Sequence, residues 1–239
     1  MSRNSKIEWT DHTWNPIIGC YKVSTGCKYC YAERDMKRWG KSFKPHRASD
    51  AVFYSPLKWK EPARVFTCSY SDFFLEDADS YRDEIWNIIK NTPHLTYQIL
   101  TKRPENILDR LPDNWGYGYK NVWLGVSVEK MEFIKRIDIL IDIPAHIRFI
   151  SYEPALGKLV IASPSIISNI HWIIAGGESG HGYKWRPANT EWFRLIRDQC
   201  LVFKIPFFFK QYGGKKKING TWGGNKLDGT IHNQFPVTL

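Results

Sequence analysis

The chain has 239 residues, is rich in aromatic side chains (11 Trp, 12 Tyr, 13 Phe) and carries a formal net charge of +10. That length supports one substantial core, and the aromatic content excludes a disordered or low-complexity chain. No apolar run approaches the length of a membrane span, and Met1-Ser2-Arg3-Asn4-Ser5-Lys6 has no apolar stretch behind it, so neither a helical membrane protein nor a secretory signal is expected.

The charge is unevenly placed. Residues 22–64 hold eleven Lys and Arg against four Asp and Glu, a net of +7, and residues 201–226 hold six Lys and no acid. Residues 65–203 come to a net of −2. Two basic ends around a nearly neutral middle point to a polyanionic partner, with ordinary solvated lysines as the alternative.

The first feature along the chain is a loop with three cysteines, Cys20, Cys27 and Cys30, of the five in the protein. Three thiolates can hold three irons of a 4Fe–4S cluster and leave the fourth iron open. A C-x2-C pair with a third cysteine is also a zinc pattern. Zinc needs a fourth ligand, for which His12, His46 and Cys68 are available without the usual short pair spacing. Disulfides are not expected in an odd-cysteine chain of a reducing compartment. Cys68 and Cys200 stand alone in apolar elements and read as packing residues.

Beyond the loop, apolar strands alternate with amphipathic helices. Residues 64–68 read as a strand. A helix follows from about Ser80, with Ser80-x-x-Asp83 as a capping box and Tyr81, Ile85, Ile88 and Ile89 on one face. Residues 96–100 are the next strand, with a short helix over 104–110. Residues 121–128 form the third, followed by a helix carrying Phe133, Ile134, Ile137, Leu140 and Ile141 that stops before Pro144. Residues 146–151 and 171–175 are the fourth and fifth strands. A helix over 190–203 has Trp192, Ile196 and Phe203 as its core stripe, and 206–209 is the last strand. The tail reads as a loop with a hairpin around Asn219-Gly220.

Strands that are apolar throughout and separated by helices indicate an α/β protein with a parallel sheet, either an open sheet or a partial barrel. One domain is expected over residues 1–210, with the cysteine loop at 19–33. A Gly/Lys-rich extension over 211–239 packs on or near it. Polar residues cluster just past the six strand ends: Ser69, Ser71 and Asp72; Thr101, Lys102 and Arg103; Ser127 and Glu129; Ser151, Tyr152 and Glu153; Gly176-Gly177-Glu178-Ser179-Gly180; Lys210 and Gln211. Loops at strand carboxyl ends build the active face of α/β proteins, so this rim is the candidate site. The glycines of 176–180 let backbone approach a ligand closely.

The stretches Ile7-Glu8-Trp9-Thr10-Asp11-x-Thr13-Trp14-Asn15-Pro16 and Gly26-Cys27-x-x-Cys30-Tyr31-Ala32-Glu33 carry a resemblance. So do Ser69-x-Ser71-Asp72-x-Phe74, Thr101-Lys102-Arg103-Pro104, Ser151-x-Glu153-Pro154 and Phe208-Phe209-Lys210-Gln211. Across essentially its whole length the chain resembles the phage-associated three-cysteine-motif family of radical-SAM-like proteins. The resemblance implies a partial (β/α) barrel of about six mainly parallel strands. It also implies a 4Fe–4S cluster on Cys20, Cys27 and Cys30, with S-adenosylmethionine (SAM) as the second cofactor. Tyr29 matches the aromatic residue that often precedes the last cysteine. Two departures are visible: the first cysteine gap is six residues rather than three, and Gly176-Gly177-Glu178 follows a late strand rather than an early one.

The implied activity is that of a radical-SAM enzyme. The cluster reductively cleaves SAM, and the resulting radical abstracts hydrogen from an unreactive carbon. Asp72, Glu129, Glu153, Lys102, Arg103 and Lys210 are the candidate catalytic residues. Ser69, Ser71, Ser127, Ser151, Gly176, Gly177, Glu178 and Tyr29 are the candidates for cofactor binding. A flavodoxin- or ferredoxin-type electron donor is implied. So is a nucleic acid or nucleotide substrate, such as a modified base in phage DNA, within the host-cell cytoplasm. The alternatives are a zinc-bearing nucleic-acid-binding module and an iron–sulfur electron-transfer protein without radical catalysis.

Overall fold

Short β-rich apolar runs bounded by polar turns set the architecture. The computed structural model describes residues 2–180 and 184–237. The chain divides into two compact units. One comprises Met1–Val23, Cys30–Gly125 and Ile143–His146, and the other Ser24–Tyr29, Val126–Asp142 and Ile147–Leu239.

The first unit begins with β1 (Ser2–Arg3), β2 (His12–Trp14) and β3 (Ile17–Ile18). Helix α1 (Tyr31–Arg38) starts directly after Cys30, and β4 (His46–Arg47) pairs antiparallel with β3. Next come α2 (Asp50–Phe53), β5 (Ala63–Thr67), α3 (Asp79–Lys90) and β6 (Leu95–Thr101). β7 (Val122–Ser127) follows, its last two residues belonging to the second unit. β2, β5 and β6 are parallel neighbours, with β1 antiparallel at the edge. Trp14 is completely buried; its ring meets Tyr97 edge-on at 5.6 Å and its indole N–H donates to the Val52 carbonyl. Truncating such a residue costs about 3–5 kcal/mol.

The second unit holds α4 (Lys135–Ile141), β8 (Ile147–Tyr152), α5 (Pro164–Asn169), β9 (Trp172–Gly176), α6 (Thr190–Phe203) and β10 (Phe207–Gln211). β8, β9 and β10 are parallel neighbours. Two hairpins complete it: β11 (Lys217–Ile218) with β12 (Thr221–Trp222), and β13 (Lys226–Leu227) with β14 (Thr230–Ile231). Asn219-Gly220 and Asp228-Gly229 both take positive φ at the two turn positions, the geometry of tight hairpins. The extension is folded onto the unit. Phe235 packs on Trp172 at 5.2 Å, and Asp228 is clamped by Arg194 and Arg197 of α6, whose hydrogen bonds hold its carboxyl at about 2.

The fold class is the expected one: α/β, with a mainly parallel sheet of the partial (β/α) barrel kind. Several local expectations are corrected. Ser80 lies inside α3, which runs on from a 3-10 turn at Glu76–Ala78, so Ser80 and Asp83 form no capping box. The stretch 104–110 makes two separate 3-10 turns, not one helix. On α4 the buried set is Arg136, Ile137 and Leu140, with Met131–Phe133 in a preceding 3-10 turn. On α6 the buried stripe is Phe193, Ile196 and Cys200: Ile196 is as expected, Phe193 takes the place of its neighbour Trp192, and Phe203, on the same face, is only half-buried at the helix end. Cys68 and Cys200 are buried, and desolvation raises both thiols, Cys200 to about 12. Among the described residues no helix is long and apolar enough to cross a membrane.

Candidate functional site

In the first unit the site is built from the start of the cysteine loop and the loops after β5 and β6. Gly19, at φ +96, carries the chain past the Lys44 carbonyl where a Cβ would collide. Ser71 Oγ donates to the Gly19 carbonyl at 2.6 Å, and the Gly19 N–H donates to the Tyr70 carbonyl at 2.9 Å. Ser69 Oγ exchanges hydrogen bonds with the Asn15 amide, while Tyr31 Oη donates to the Ser69 carbonyl at 2.6 Å. Ser69 and Ser71 thus tie the cysteine loop and the N-terminal motif to the strand end.

Asp72 is 5% exposed and both its oxygens are occupied. Oδ1 accepts from Thr101 Oγ1 at 2.6 Å and from the Phe74 N–H at 3.1 Å. Oδ2 accepts from the Lys102 N–H at 2.9 Å and Arg103 Nη1 at 3.2 Å. The same Nη1 donates to Cys20 Sγ at 3.7 Å, and Nη2 donates to the Tyr21 carbonyl at 2.8 Å. Burial opposes the Arg103 charge, but Asp72 and Cys20 outweigh it and raise the guanidinium pKa. Asp72, Arg103 and Cys20 therefore form a relay from strand end to sulfur, an arrangement that stabilises negative charge on that sulfur.

In the second unit, Cys27 sits in the 3-10 turn Thr25–Cys27, with Ser24 Oγ 3.7 Å from its sulfur. Ser24 Oγ also donates to Glu129 Oε1 at 2.5 Å. Glu129 is fully buried; Arg136 Nη1 bridges its Oε2, at 2.9 Å, and the Ser127 carbonyl, at 2.8 Å. Gly26 faces this carboxylate so closely that any Cβ would collide with it. Ser151 is buried, and its carbonyl accepts from the Val128 N–H at 2.9 Å.

Glu178 is held by Arg186 through its backbone N–H at 2.8 Å, Nε at 3.0 Å and Nη2 at 2.5 Å. Arg186 Nη1 reaches the Thr25 carbonyl at 2.9 Å, and its guanidinium lies over the Tyr29 ring at 5.2 Å. The glycines around Glu178 approach the chain itself. Gly177 abuts the Tyr212 carbonyl, Gly180 packs on Trp185, and Ser179 bridges Gly214. Glu153 pairs with Lys210 at 2.5 Å beside Gly176, and both charged groups remain about one-fifth exposed.

Sequence reasoning missed Asn15, Ser24, Arg136 and Arg186. Ser24 lies in the cysteine gap itself; Arg136 and Arg186 had no local signal. Among the described residues no group of three or more His, Cys, Asp or Glu is arranged to hold a metal ion. The donor chemistry nonetheless fits a thiolate-ligated group. Cys20, Cys27 and Cys30 are the half-buried cysteines, none is in a disulfide, and one lies beside a guanidinium.

A family model described as "Protein of unknown function (DUF5131)" matches residues 4–236. The chain belongs to the DUF5131 family. Neither the curated proteins nor the solved structures contain a match to it. The DUF5131 model takes in both units, the cysteine loop and both hairpins of the extension.

Proposed function

We propose that this DUF5131 protein is a radical-SAM enzyme whose cysteine loop holds a 4Fe–4S cluster through Cys20, Cys27 and Cys30. One observation carries the reading: the three thiols of one loop are half-buried and outside any disulfide, while the two remaining cysteines are buried with raised pKa values. When bound, the cluster with SAM supplies reductive cleavage of the sulfonium and hydrogen abstraction.

The chain's own residues orient the loop. Asp72 fixes Arg103 against Cys20, Ser71 fixes the Gly19 carbonyl, and Arg186 fixes the Thr25 carbonyl and the Tyr29 ring. Glu153, Lys210 and Lys102 are the candidate catalytic residues that remain partly exposed, the first two as an ion pair, and they are the groups offered to SAM or substrate. The reading requires a flavodoxin- or ferredoxin-type donor and a reducing cytoplasm, and it takes nucleic acid or a nucleotide as substrate.

The test is anaerobic reconstitution with iron and sulfide followed by reduction in the presence of SAM. Iron–sulfur absorption together with cleaved SAM supports the reading. Stoichiometric zinc without iron uptake, or a cluster that never cleaves SAM, overturns it in favour of a zinc module or an electron carrier.

A further inference from the structure

We propose that single-stranded nucleic acid docks on the exposed end of α1 and the segment that follows it, with a base stacked on Trp39. This takes up the nucleic-acid part of the proposed function and is independent of what the cysteines hold.

Trp39 closes α1 and is 55% exposed. It stacks on Tyr70 at 6.0 Å with the rings 20° apart. Tyr70 is fixed in turn by donating from Oη to Asp35 at 3.1 Å; burial, together with Asp35, keeps it a phenol with a pKa of about 12. The indole is thus backed by one ring and presents aromatic surface to solvent. A base in a duplex has its faces covered, so such a platform suits an unpaired base.

Four cations lie close to it in sequence. Lys37, Arg38, Lys41 and Lys44 are all exposed. Among the described residues none of the four side chains has an acidic partner. Neighbouring Lys22, Arg34 and Arg47 are neutralised by Glu33, Asp35 and Asp50. Lys41 and Lys44 border an open cleft of about 470 Å³, floored by Met36 and lined also by Ser42, Pro45 and His46. Four free cations within eight residues, an aromatic platform and a cleft match a backbone-tracking groove with a stacking site. An anionic membrane fits less well: Ala32 and Met36 of α1 face inward, and of its exposed aromatics Tyr31 is tied through Oη to the Ser69 carbonyl, so the helix presents no continuous apolar face.

The experiment is fluorescence anisotropy of labelled single-stranded DNA and RNA with the full chain, iron-free and reconstituted. Duplex DNA and phosphatidylserine vesicles are run in parallel. If the four cations meet phosphates, log affinity falls against log salt with a slope of about −3. Trp39→Ala weakens binding roughly tenfold to a hundredfold and Trp39→Phe retains most of it. Lys41→Gln with Lys44→Gln flattens the slope by about 1.4, while Lys215→Gln with Lys216→Gln leaves it unchanged. Equal binding by iron-free protein supports the surface even where the cysteines prove to hold no cluster. Unchanged affinity in a folded Trp39→Ala variant, binding to vesicles alone, or loss only in the Lys215 and Lys216 variant overturns the proposal.

Discussion

Replacing Asp72 by Asn removes one charge while keeping the side-chain shape, so it perturbs the relay beneath Cys20 together with the other donors to this carboxylate. Each carboxylate oxygen accepts from two donors, so either orientation of the amide turns an NH2 toward two of them. Arg103 is left without its counter-ion at a site where both partners are under 10% exposed. Removing one member of a buried ion pair costs about 3–5 kcal/mol. For a chain of this size that corresponds to a fall in Tm of roughly 6–20 °C. The assay is thermal unfolding of the iron-free full chain by circular dichroism, with Arg103→Met and the double variant completing a cycle. The single variants should each destabilise, and the double variant should recover at least about 1.5 kcal/mol of their sum. An Asp72→Asn protein melting within 2 °C or so of the parent, or strict additivity in the cycle, would refute the assignment of Asp72 to Arg103.

Gly26→Ala should destabilise by about 1–3 kcal/mol, because its Cβ is driven into the buried Glu129 carboxylate; urea unfolding measures this, and an unchanged midpoint contradicts the packing. Arg186→Met should release the Thr25 carbonyl and speed amide exchange across residues 24–29; identical exchange there would show that Arg186 does not hold the loop. His171 titrates below the ordinary histidine value of 6.5, through desolvation and the nearby Arg148. The unfolded chain therefore binds that proton first. The stabilisation is complete above pH 6.5 and declines as pH falls through the folded pKa, so His171→Gln should flatten the stability profile between about pH 7 and 5. A parallel profile would remove His171 as a contributor.

The strands were legible because they are apolar throughout: the six runs correspond to β5–β10 with bounds moved by one or two residues. β2 is not legible, since three residues within the Trp-rich N-terminal motif carry no period. On α6 Ile196 is inward as the spacing indicates, but Trp192 and Phe193 are adjacent aromatics, and only packing decides which of the two turns inward. The second hairpin has a turn signal of its own in Asp228-Gly229, both at positive φ. At the site, residue type and spacing located the cysteines and the strand-end carboxylates. They could not say what those carboxylates touch. Ser24 and Glu129 meet across 105 positions, and Arg186 meets Thr25 across 161. Such partnerships exist only after folding, so Asp72, Glu129 and Glu178 read as open ligands in sequence and as saturated acceptors in the structure.

In the proposed function Cys20, Cys27 and Cys30 together hold one iron–sulfur cluster with an open iron. The most direct measurement is iron and sulfide content, with electron paramagnetic resonance of the reduced protein with and without SAM, across five single Cys→Ala variants. Each of the three loop variants should lose the cluster, Cys68→Ala and Cys200→Ala should retain it, and SAM should change the spectrum of the parent. Loss of iron in Cys68→Ala, or a full cluster in any loop variant, would contradict it.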